Sequence, residues 1–125
     1  MEESISTEQG KKMNEGMKYD KNKQGWYPMP LVILKPLADV FLAGEKKYET
    51  FNCLKPFEDS DRRFWDAMMR HLMECQIDPL AIDKEIFDTY GIKVYHGAQA
   101  VFNILMRIHN AERKIKENSK REDVK

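Results

Sequence analysis

Apolar residues recur every three or four positions in three long stretches of the chain, and this spacing restricts its fold more than any other feature. The stretches run from Pro36 to about Tyr48, from Asp61 to about Ile77 and from about Tyr95 to Lys116. A 3.6-residue period places such residues on one face of an α-helix. The sequence therefore predicts three main helices that bury these faces against one another.

Turn-forming residues mark the helix ends and indicate a short fourth helix. Pro36 suits a first helical turn, and Pro79 ends the second helix. We expect the short helix at about Ile82 to Thr89, ended by Gly91. Ile92 to Tyr95 is too short a segment to support a sheet. The predicted fold is all-α: a small bundle of three main helices plus a short helix, with an extended N-terminal arm.

The ends of the chain lack this helical rhythm. We expect residues 1–15 to be a disordered leader, 16–117 to be a single helical domain and 118–125 to be a polar tail. Within the domain, residues 16–35 mix prolines and glycines with apolar residues. We interpret them as an arm that lies on the helices and is anchored by Trp26 and Tyr27.

Charge and cysteine content exclude several classes of protein. Lys+Arg and Asp+Glu both number 21, so no net charge attracts the chain to a nucleic-acid polymer or an anionic membrane. The longest apolar stretch, Met29 to Phe41, is interrupted by prolines and charges, which argues against a transmembrane helix. Cys53 and Cys75 form no C-x-x-C pair, and no signal peptide is recognisable, which favours a reducing, intracellular setting.

Acidic residues collect at the end of the second helix and beyond it. Glu74 and Asp78 stand three and seven residues after His71 and share its helix face, and Asp83 and Glu85 follow. Carboxylate oxygens suit Mg²⁺ or Mn²⁺, which bridge substrate phosphates. Acids also cluster on ordinary solvated helix faces, so the spacing alone leaves a metal site and a plain surface both open.

Polar residues on the third helix and lysines after the first helix are further candidates. His96, Gln99 and Asn103 flank the apolar stripe, where their side chains need partners: one another, a ligand or a metal. The alternative is a satisfied polar patch packed against the second helix. Lys46 and Lys47 are suited to hold phosphates, although such a pair is often simply exposed.

Five segments, in order, resemble motifs of one known family. They are GMKYDKNKQ at 16–24, GEKKYETFNC at 44–53, RHL at 70–72, DKE at 83–85 and HGAQAVFN at 96–103. These segments are similar to those of the phage dATP/dGTP diphosphohydrolase family, N-terminal domain type, itself related to the all-α MazG-type nucleotide pyrophosphohydrolases. The resemblance covers about residues 16–110. Two departures stand out: Gln99 replaces the family's second histidine, and Cys53 replaces a tryptophan.

The resemblance implies a nucleotide-binding domain that hydrolyses a purine deoxynucleoside triphosphate to the monophosphate and pyrophosphate with Mg²⁺ (or Mn²⁺). The expected metal ligands are Glu74, Asp78, Asp83 and Glu85: the resemblance implies Asp83 and Glu85, and the acidic cluster adds Glu74 and Asp78. The implied catalytic residues are Asp83, Glu85, His71 and His96. The residues implied to bind the substrate are Lys18, Asp20, Lys23, Lys46, Lys47, Tyr48, Asn52, Arg70 and Asn103. We further expect a homo-oligomer, a dimer or higher, in the cytoplasm of a phage-infected host cell.

Two other functions remain open from the sequence. One is a non-catalytic, sponge-like nucleotide-binding protein of phage origin that sequesters a signalling nucleotide. Gln99 favours this alternative, whereas the retained Asp83-x-Glu85 pair favours the enzyme. The other is a small helical interaction protein.

Overall fold

In the computed structural model, which describes residues 15–124, four α-helices account for most of the chain. They are α1 (Lys35–Lys47), α2 (Ser60–Ile77), α3 (Lys84–Tyr90) and α4 (His96–Val124). Short 3₁₀ helices lie at Leu31–Leu34, before α1, and at Asn52–Leu54, after it. Residues 15–124 contain no strand beyond the isolated bridge between Ile82 and Tyr95. The all-α prediction is confirmed, and the leader expected at residues 1–15 lies, except for Glu15, outside the described residues.

The helix bounds follow the sequence signals closely, except at the end of α4. Gly91 ends α3 with a φ of 72°, a left-handed conformation that glycine adopts without steric cost. Helix α4 continues to Val124 rather than ending near Lys116. Its last turns are rich in good helix formers, and Arg113 lies 4.0 Å from Glu117 one turn later. The helix propensity of these last residues therefore extends α4 beyond the end of its apolar face.

Helices α2 and α4 form an antiparallel pair with the most extensive packing in the fold. His71 of α2 lies beside His96 at the start of α4, and Asp61 at the start of α2 binds Arg107 further along α4. Gly97 permits the close approach, because a Cβ atom there would lie 2.9 Å from the Cys75 Sγ. The backbones can therefore come together where the two histidines meet.

Helix α1 covers one side of the α2–α4 pair. The Phe102 ring of α4 contacts Phe41 of α1 edge-on, with the ring centroids 5.4 Å apart. Val40 and Ala43 of α1 are buried with Val94, which has no exposed surface. One part of the core thus lies between α1 and the helix pair, and buried Met68, Ala100 and Met106 form another part on α2 and α4.

The arm before α1 does not pack on the helices as expected. The side chains of Trp26 and Tyr27 are 63% and 100% exposed, so the prediction that they anchor the arm is wrong. The arm's backbone closes only local turns, such as the bond from the Met29 N–H to the Trp26 carbonyl. Its aromatic rings have no apolar cover within the described residues of one chain. None of the described helices has the length and apolarity needed to cross a membrane.

Candidate functional site

Three side chains converge at the point where α2 and α4 meet. They are His71 of α2, Asp83 immediately before α3 and His96, the first residue of α4. One donor atom from each lies within 4.8 Å of the other two, and the two Nδ1 atoms are 2.9 Å apart. We call these residues the His–Asp–His cluster. All three side chains are partly buried.

The loop between α2 and α4 places Asp83 by two sets of hydrogen bonds. Its carboxylate Oδ1 accepts from the Ile86 N–H at 3.2 Å, which caps the start of α3. Its own backbone N–H donates to the Val94 carbonyl at 2.8 Å, while the His96 N–H donates to the Ala81 carbonyl at 2.9 Å. These bonds tie the start of α3 to the start of α4. Asp83 and His96 are therefore brought together although thirteen positions separate them in the sequence.

Gln99 supports the cluster from one turn further along α4. Its amide Nε2 donates to the Asp83 Oδ2 at 3.1 Å. Because an ionised carboxylate only accepts hydrogen bonds, the amide nitrogen must face Asp83 and the amide oxygen must point away. That Oε1 is buried without a hydrogen-bond partner in the described part of the chain, and the residue is only 9% exposed. An unsatisfied buried acceptor costs about 1–3 kcal/mol, so this atom is poised to receive a donor or a cation.

Burial changes the protonation of one cluster residue, His71. It lowers the pKa of His71 below the usual histidine value, and the neighbouring His96 lowers this pKa further. Asp83 acts in the opposite direction but more weakly than burial, so the net pKa shift is downward. His71 is therefore neutral at neutral pH. A neutral imidazole keeps a lone pair that can bind a metal ion or accept a proton.

A cavity of about 590 Å³ borders the cluster between α1 and the α2–α4 pair. Its volume falls within the range of about 300–1,000 Å³ typical of small-molecule sites. His71 lines it, so the cluster faces the cavity through this residue, and Gln99 lines it as well. Aromatic rings of Phe41, Phe64 and Phe102 form an apolar wall, in which Phe64 and Phe102 lie 6.3 Å apart. The cavity therefore offers polar groups beside the cluster and an aromatic wall within one space.

Several residues predicted from the sequence come together here. His71, Asp83 and His96 form the cluster, and four predicted substrate-binding residues line the cavity: Lys47, Tyr48, Asn52 and Asn103. Asn103 is 5% exposed, and its Nδ2 donates to the Gln99 carbonyl at 2.7 Å. The Lys47 ammonium lies 5.4 Å from the centre of the Tyr48 ring.

Three predicted metal ligands are not members of the cluster, although the charge of Glu74 is near enough to act on the pKa of His71. Glu74, Asp78 and Glu85 are exposed, and among the described side chains the only metal-like group of three or more is His71, Asp83 and His96. The Asp78 carboxylate instead accepts from the Leu80 N–H at 2.9 Å. Glu85 lines a smaller cavity of about 200 Å³ that also touches Lys47. The four acids that the sequence predicts as metal ligands are therefore not brought together around one point.

The remaining predicted residues are exposed. Lys18, Asp20 and Lys23 lie in the arm, and Lys46 lies near the end of α1. Arg70 is also exposed on α2, although its charge is near enough to lower the pKa of His71. Their proposed contacts with a substrate remain predictions.

Two features of the cavity had no signal in the sequence. Arg63 lines the cavity with its guanidinium 4.8 Å from the centre of the Phe57 ring, yet it is one of several arginines on α2. The aromatic wall joins α1, α2 and α4, and only their packing brings its rings together. Lys55, which also lines the cavity, forms an ion pair with Glu49.

Comparison with protein families gave one match over most of the chain. The family model described as dATP/dGTP diphosphohydrolase, N-terminal, matches residues 13–120. Comparison with curated proteins and with solved structures gave no significant match. The matched range contains the cluster, the cavity and all five motif segments.

Proposed function

The chain belongs to the dATP/dGTP diphosphohydrolase N-terminal family, and from this premise we propose that it is a metal-dependent nucleoside triphosphate pyrophosphohydrolase. The proposed reaction converts a purine deoxynucleoside triphosphate to its monophosphate and pyrophosphate. One observation carries the proposal: a metal-like cluster borders a cavity lined by lysine, arginine and aromatic side chains. These are the groups that a triphosphate and a purine base require.

The residues of the cluster fit a divalent transition-metal ion. The Nδ1 atoms of His71 and His96 are 2.9 Å apart, close to the spacing of neighbouring ligands on one ion with bonds of about 2.1 Å. Of the two ions expected from the sequence, Mn²⁺ accepts imidazole nitrogens more readily than Mg²⁺, which prefers oxygen ligands. We therefore propose Mn²⁺ rather than Mg²⁺, held by His71, Asp83 and His96. When bound, such an ion would offset charge on phosphate oxygens and promote the ionisation of water.

Protein groups beside the cluster would move the proton and hold Asp83 in place. In the reaction a water oxygen forms a bond to the α-phosphorus, and the bond from that phosphorus to the bridging oxygen breaks, releasing pyrophosphate. The lowered pKa of His71 keeps its imidazole neutral, so that its Nδ1 lone pair can bind the ion. The proton that the water loses would pass to a carboxylate outside the ligand set, for which we propose Glu74, whose charge acts on His71. Gln99 is a positioning residue, because its amide nitrogen fixes the Asp83 carboxylate at 3.1 Å.

Cationic and aromatic side chains of the cavity would bind the nucleotide. Lys47 and Arg63 line the cavity and would pair with the phosphate oxygens of the leaving group. The wall of Phe41, Phe64 and Phe102 offers ring surfaces against which a purine can stack. Arm residues Lys18 to Lys23 would add contacts only if the arm moved over the site.

A product analysis tests the proposal. The purified chain is incubated with purine and pyrimidine nucleoside triphosphates, deoxy and ribo, with Mn²⁺, with Mg²⁺ or without metal, and the products are separated by anion-exchange chromatography. We expect monophosphate and pyrophosphate, fastest with a purine deoxynucleotide and Mn²⁺. Release of inorganic phosphate and a diphosphate would contradict the proposed position of cleavage.

Retention of an unchanged nucleotide would point to sequestration instead. If the chain binds a triphosphate or a cyclic dinucleotide tightly and releases it intact on heating, the sponge-like alternative replaces the enzyme. Mn²⁺ binding, followed by the loss of the free-ion signal in electron paramagnetic resonance, provides a readout independent of turnover. Failure of Mn²⁺ to bind would remove the metal from the proposal even if turnover were found.

We also propose that the protein acts as a homo-oligomer in the cytoplasm of a phage-infected cell, where deoxynucleotides are used. Cys53 and Cys75 are both free thiols, as expected in a reducing compartment. Sedimentation of the protein and its localisation during infection test these two points.

A further inference from the structure

One buried acceptor in the wall of the cavity is not satisfied by any described group of the chain. It is the Oε1 of Gln99, a residue that lines the cavity and is 9% exposed. The other end of this amide is engaged, because Nε2 donates to the Asp83 Oδ2 at 3.1 Å. Asn103 lies one turn further along α4, but its Nδ2 donates to the backbone carbonyl of Gln99 and not to Oε1. The cavity wall therefore contains an acceptor that a ligand can satisfy.

The bond to Asp83 determines what kind of ligand group suits this atom. Turning the amide over would place Oε1 against the Asp83 carboxylate, where two acceptors repel each other. The side chain is thus held with its oxygen available, and this oxygen accepts from N–H or O–H groups. Ionised phosphates only accept hydrogen bonds, so the triphosphate chain of a nucleotide does not suit this position. The donor must come from the sugar or from the base.

Gln99 lies along α4 between the His–Asp–His cluster and the aromatic wall. Because an α-helix rises about 1.5 Å per residue, Gln99 is about 4.5 Å beyond His96 along the axis, and Phe102 is about as far beyond Gln99. Residues three positions apart are neighbours on the helix surface. A nucleotide with its α-phosphate at the cluster and its base against Phe102 therefore has its sugar beside Gln99.

We propose that the Gln99 Oε1 accepts a hydrogen bond from the 3′-hydroxyl group of the bound deoxynucleotide. This inference rests on the nucleotide substrate of the proposed function. The sugar of a 2′-deoxynucleoside triphosphate carries a single free hydroxyl group, at C3′, and that group lies between the phosphates and the base. The donors on the pairing edge of a purine lie farther from the phosphates. Gln99 is thus a specificity residue in addition to positioning Asp83.

The contact makes the site selective at one position of the sugar. A nucleotide without a donor at C3′ leaves Oε1 unsatisfied and should bind about tenfold more weakly or worse. A ribonucleotide also carries a 3′-hydroxyl group, so this contact accepts both kinds of sugar. Any preference for deoxyribose over ribose must then come from other residues.

Calorimetric binding of uncleavable nucleotides to the full chain tests the inference without turnover. The ligands are α,β-methylene analogues of dATP, with Mn²⁺, that carry hydroxyl, hydrogen, fluorine or an amino group at C3′. The hydrogen and fluorine compounds lack the donor and should bind about tenfold more weakly than the hydroxyl compound. The amino compound restores a donor and should bind within about threefold of it. Equal binding of the hydroxyl, hydrogen and fluorine compounds would overturn the inference.

A variant of Gln99 separates the sugar contact from the support of Asp83. Gln99→Met keeps a similar side-chain length but removes both polar atoms, so all four ligands should bind more weakly. The ratio between the hydroxyl and hydrogen compounds should fall from about ten to about one, because only that ratio reports the 3′ contact. Gln76→Met makes the same change at an exposed position of α2 and should keep the wild-type ratio. A wild-type ratio in folded Gln99→Met would overturn the inference, and if this variant does not fold, the wild-type ligand series decides.

The outcomes also distinguish this inference from the proposed function. Hydrolysis by a wild-type chain that binds the hydroxyl and hydrogen compounds equally would remove the Gln99 contact and leave the enzyme. The expected ratio without hydrolysis would keep the contact and remove the enzyme. If no nucleotide binds, both are overturned.

Discussion

The two sides of the α2–α4 pair are both apolar, but only one of them is covered. On the cavity side, α1 packs against α4, and His71 and Gln99 are partly or largely buried next to Asp83. On the opposite side no element of the described chain covers Trp65 or Ile104, which are 44% and 42% exposed. Both sides are apolar in composition, so what distinguishes them is whether another part of the chain packs against them. Covered polar groups acquire altered chemistry, whereas uncovered apolar groups are available for association.

The largest expected effect is the difference in turnover between variants of Asp83 and of Glu85, two acids that lie two residues apart. Asp83→Asn should reduce turnover by about 100-fold or more and weaken Mn²⁺ binding, because the cluster loses its only carboxylate. Asparagine still caps α3, so the fold should persist. Glu85→Gln should reduce turnover by less than about tenfold, since Glu85 is exposed outside the cluster. Steady-state kinetics and circular dichroism measure both effects.

Asp88→Asn is the control for loss of an exposed acid on the same short helix, and it should behave like wild type. Equal losses in the Asp83 and Glu85 variants would favour the ligand set predicted from the sequence over the His–Asp–His cluster.

Truncation of one residue on each side tests the comparison directly. Phe102→Ala removes a ring that packs against both Phe41 and Phe64, and should cost about 3 kcal/mol of unfolding free energy. Ile108→Ala, on the side of the pair opposite to the cavity and at 53% exposure, should cost less than about 1 kcal/mol in dilute protein. Urea denaturation measures both. If the Ile108 variant costs more when the protein is concentrated, this side is buried by association.

Crowding the close contact between Gly97 and Cys75 should cause a loss of stability between those of the Phe102 and Ile108 variants. Gly97→Ala would place a Cβ 2.9 Å from the Cys75 Sγ and should destabilise the fold by about 1–2 kcal/mol. Cys75→Ala removes the clashing sulfur, so the double variant should recover most of the loss. A double-mutant cycle in urea gives the coupling energy between the two positions. Additive losses would show that the helices do not approach as closely as the structure places them.

The smallest expected effect is a pH dependence of the unfolding free energy that comes from His71 on the cavity side. The pKa of His71 is lower in the folded chain than in the unfolded chain, so the unfolded state binds a proton first as the pH falls. This contribution to stability is complete above about 6.5, the usual histidine pKa, and is lost as the pH falls from there through the lower folded pKa. His71→Gln should flatten this part of the stability profile, as measured by urea unfolding at several pH values. An unchanged slope would remove His71 as its source.

Much of the site could be predicted because its residues carry local signals. The motif residues His71, Asp83 and His96 were named from the sequence, and the structure brings them together. Glu74 and Asp78 were grouped with Asp83 on spacing alone, yet they remain exposed. Spacing places Glu74 and Asp78 on one helix face, but the turn at Pro79 redirects the chain before Asp83. The trio His96, Gln99 and Asn103 was expected to need partners, but the bond from Gln99 to Asp83 depends on contacts between elements far apart in the sequence.

By itself, the sequence determined the helices and the family, because helical periodicity, prolines, Gly91 and the five motifs are local properties of the chain. Tertiary structure decided which side of the α2–α4 pair is covered, since that depends on where α1 packs. It also decided that two histidines and one aspartate, rather than four acids, meet beside the cavity. Burial and hydrogen bonding between residues far apart in the sequence determine these features, so a short segment of sequence does not predict them. Tertiary structure also decided the position of the arm: Trp26 and Tyr27 are apolar enough to serve as anchors, but in the described part of the chain they are 63% and 100% exposed.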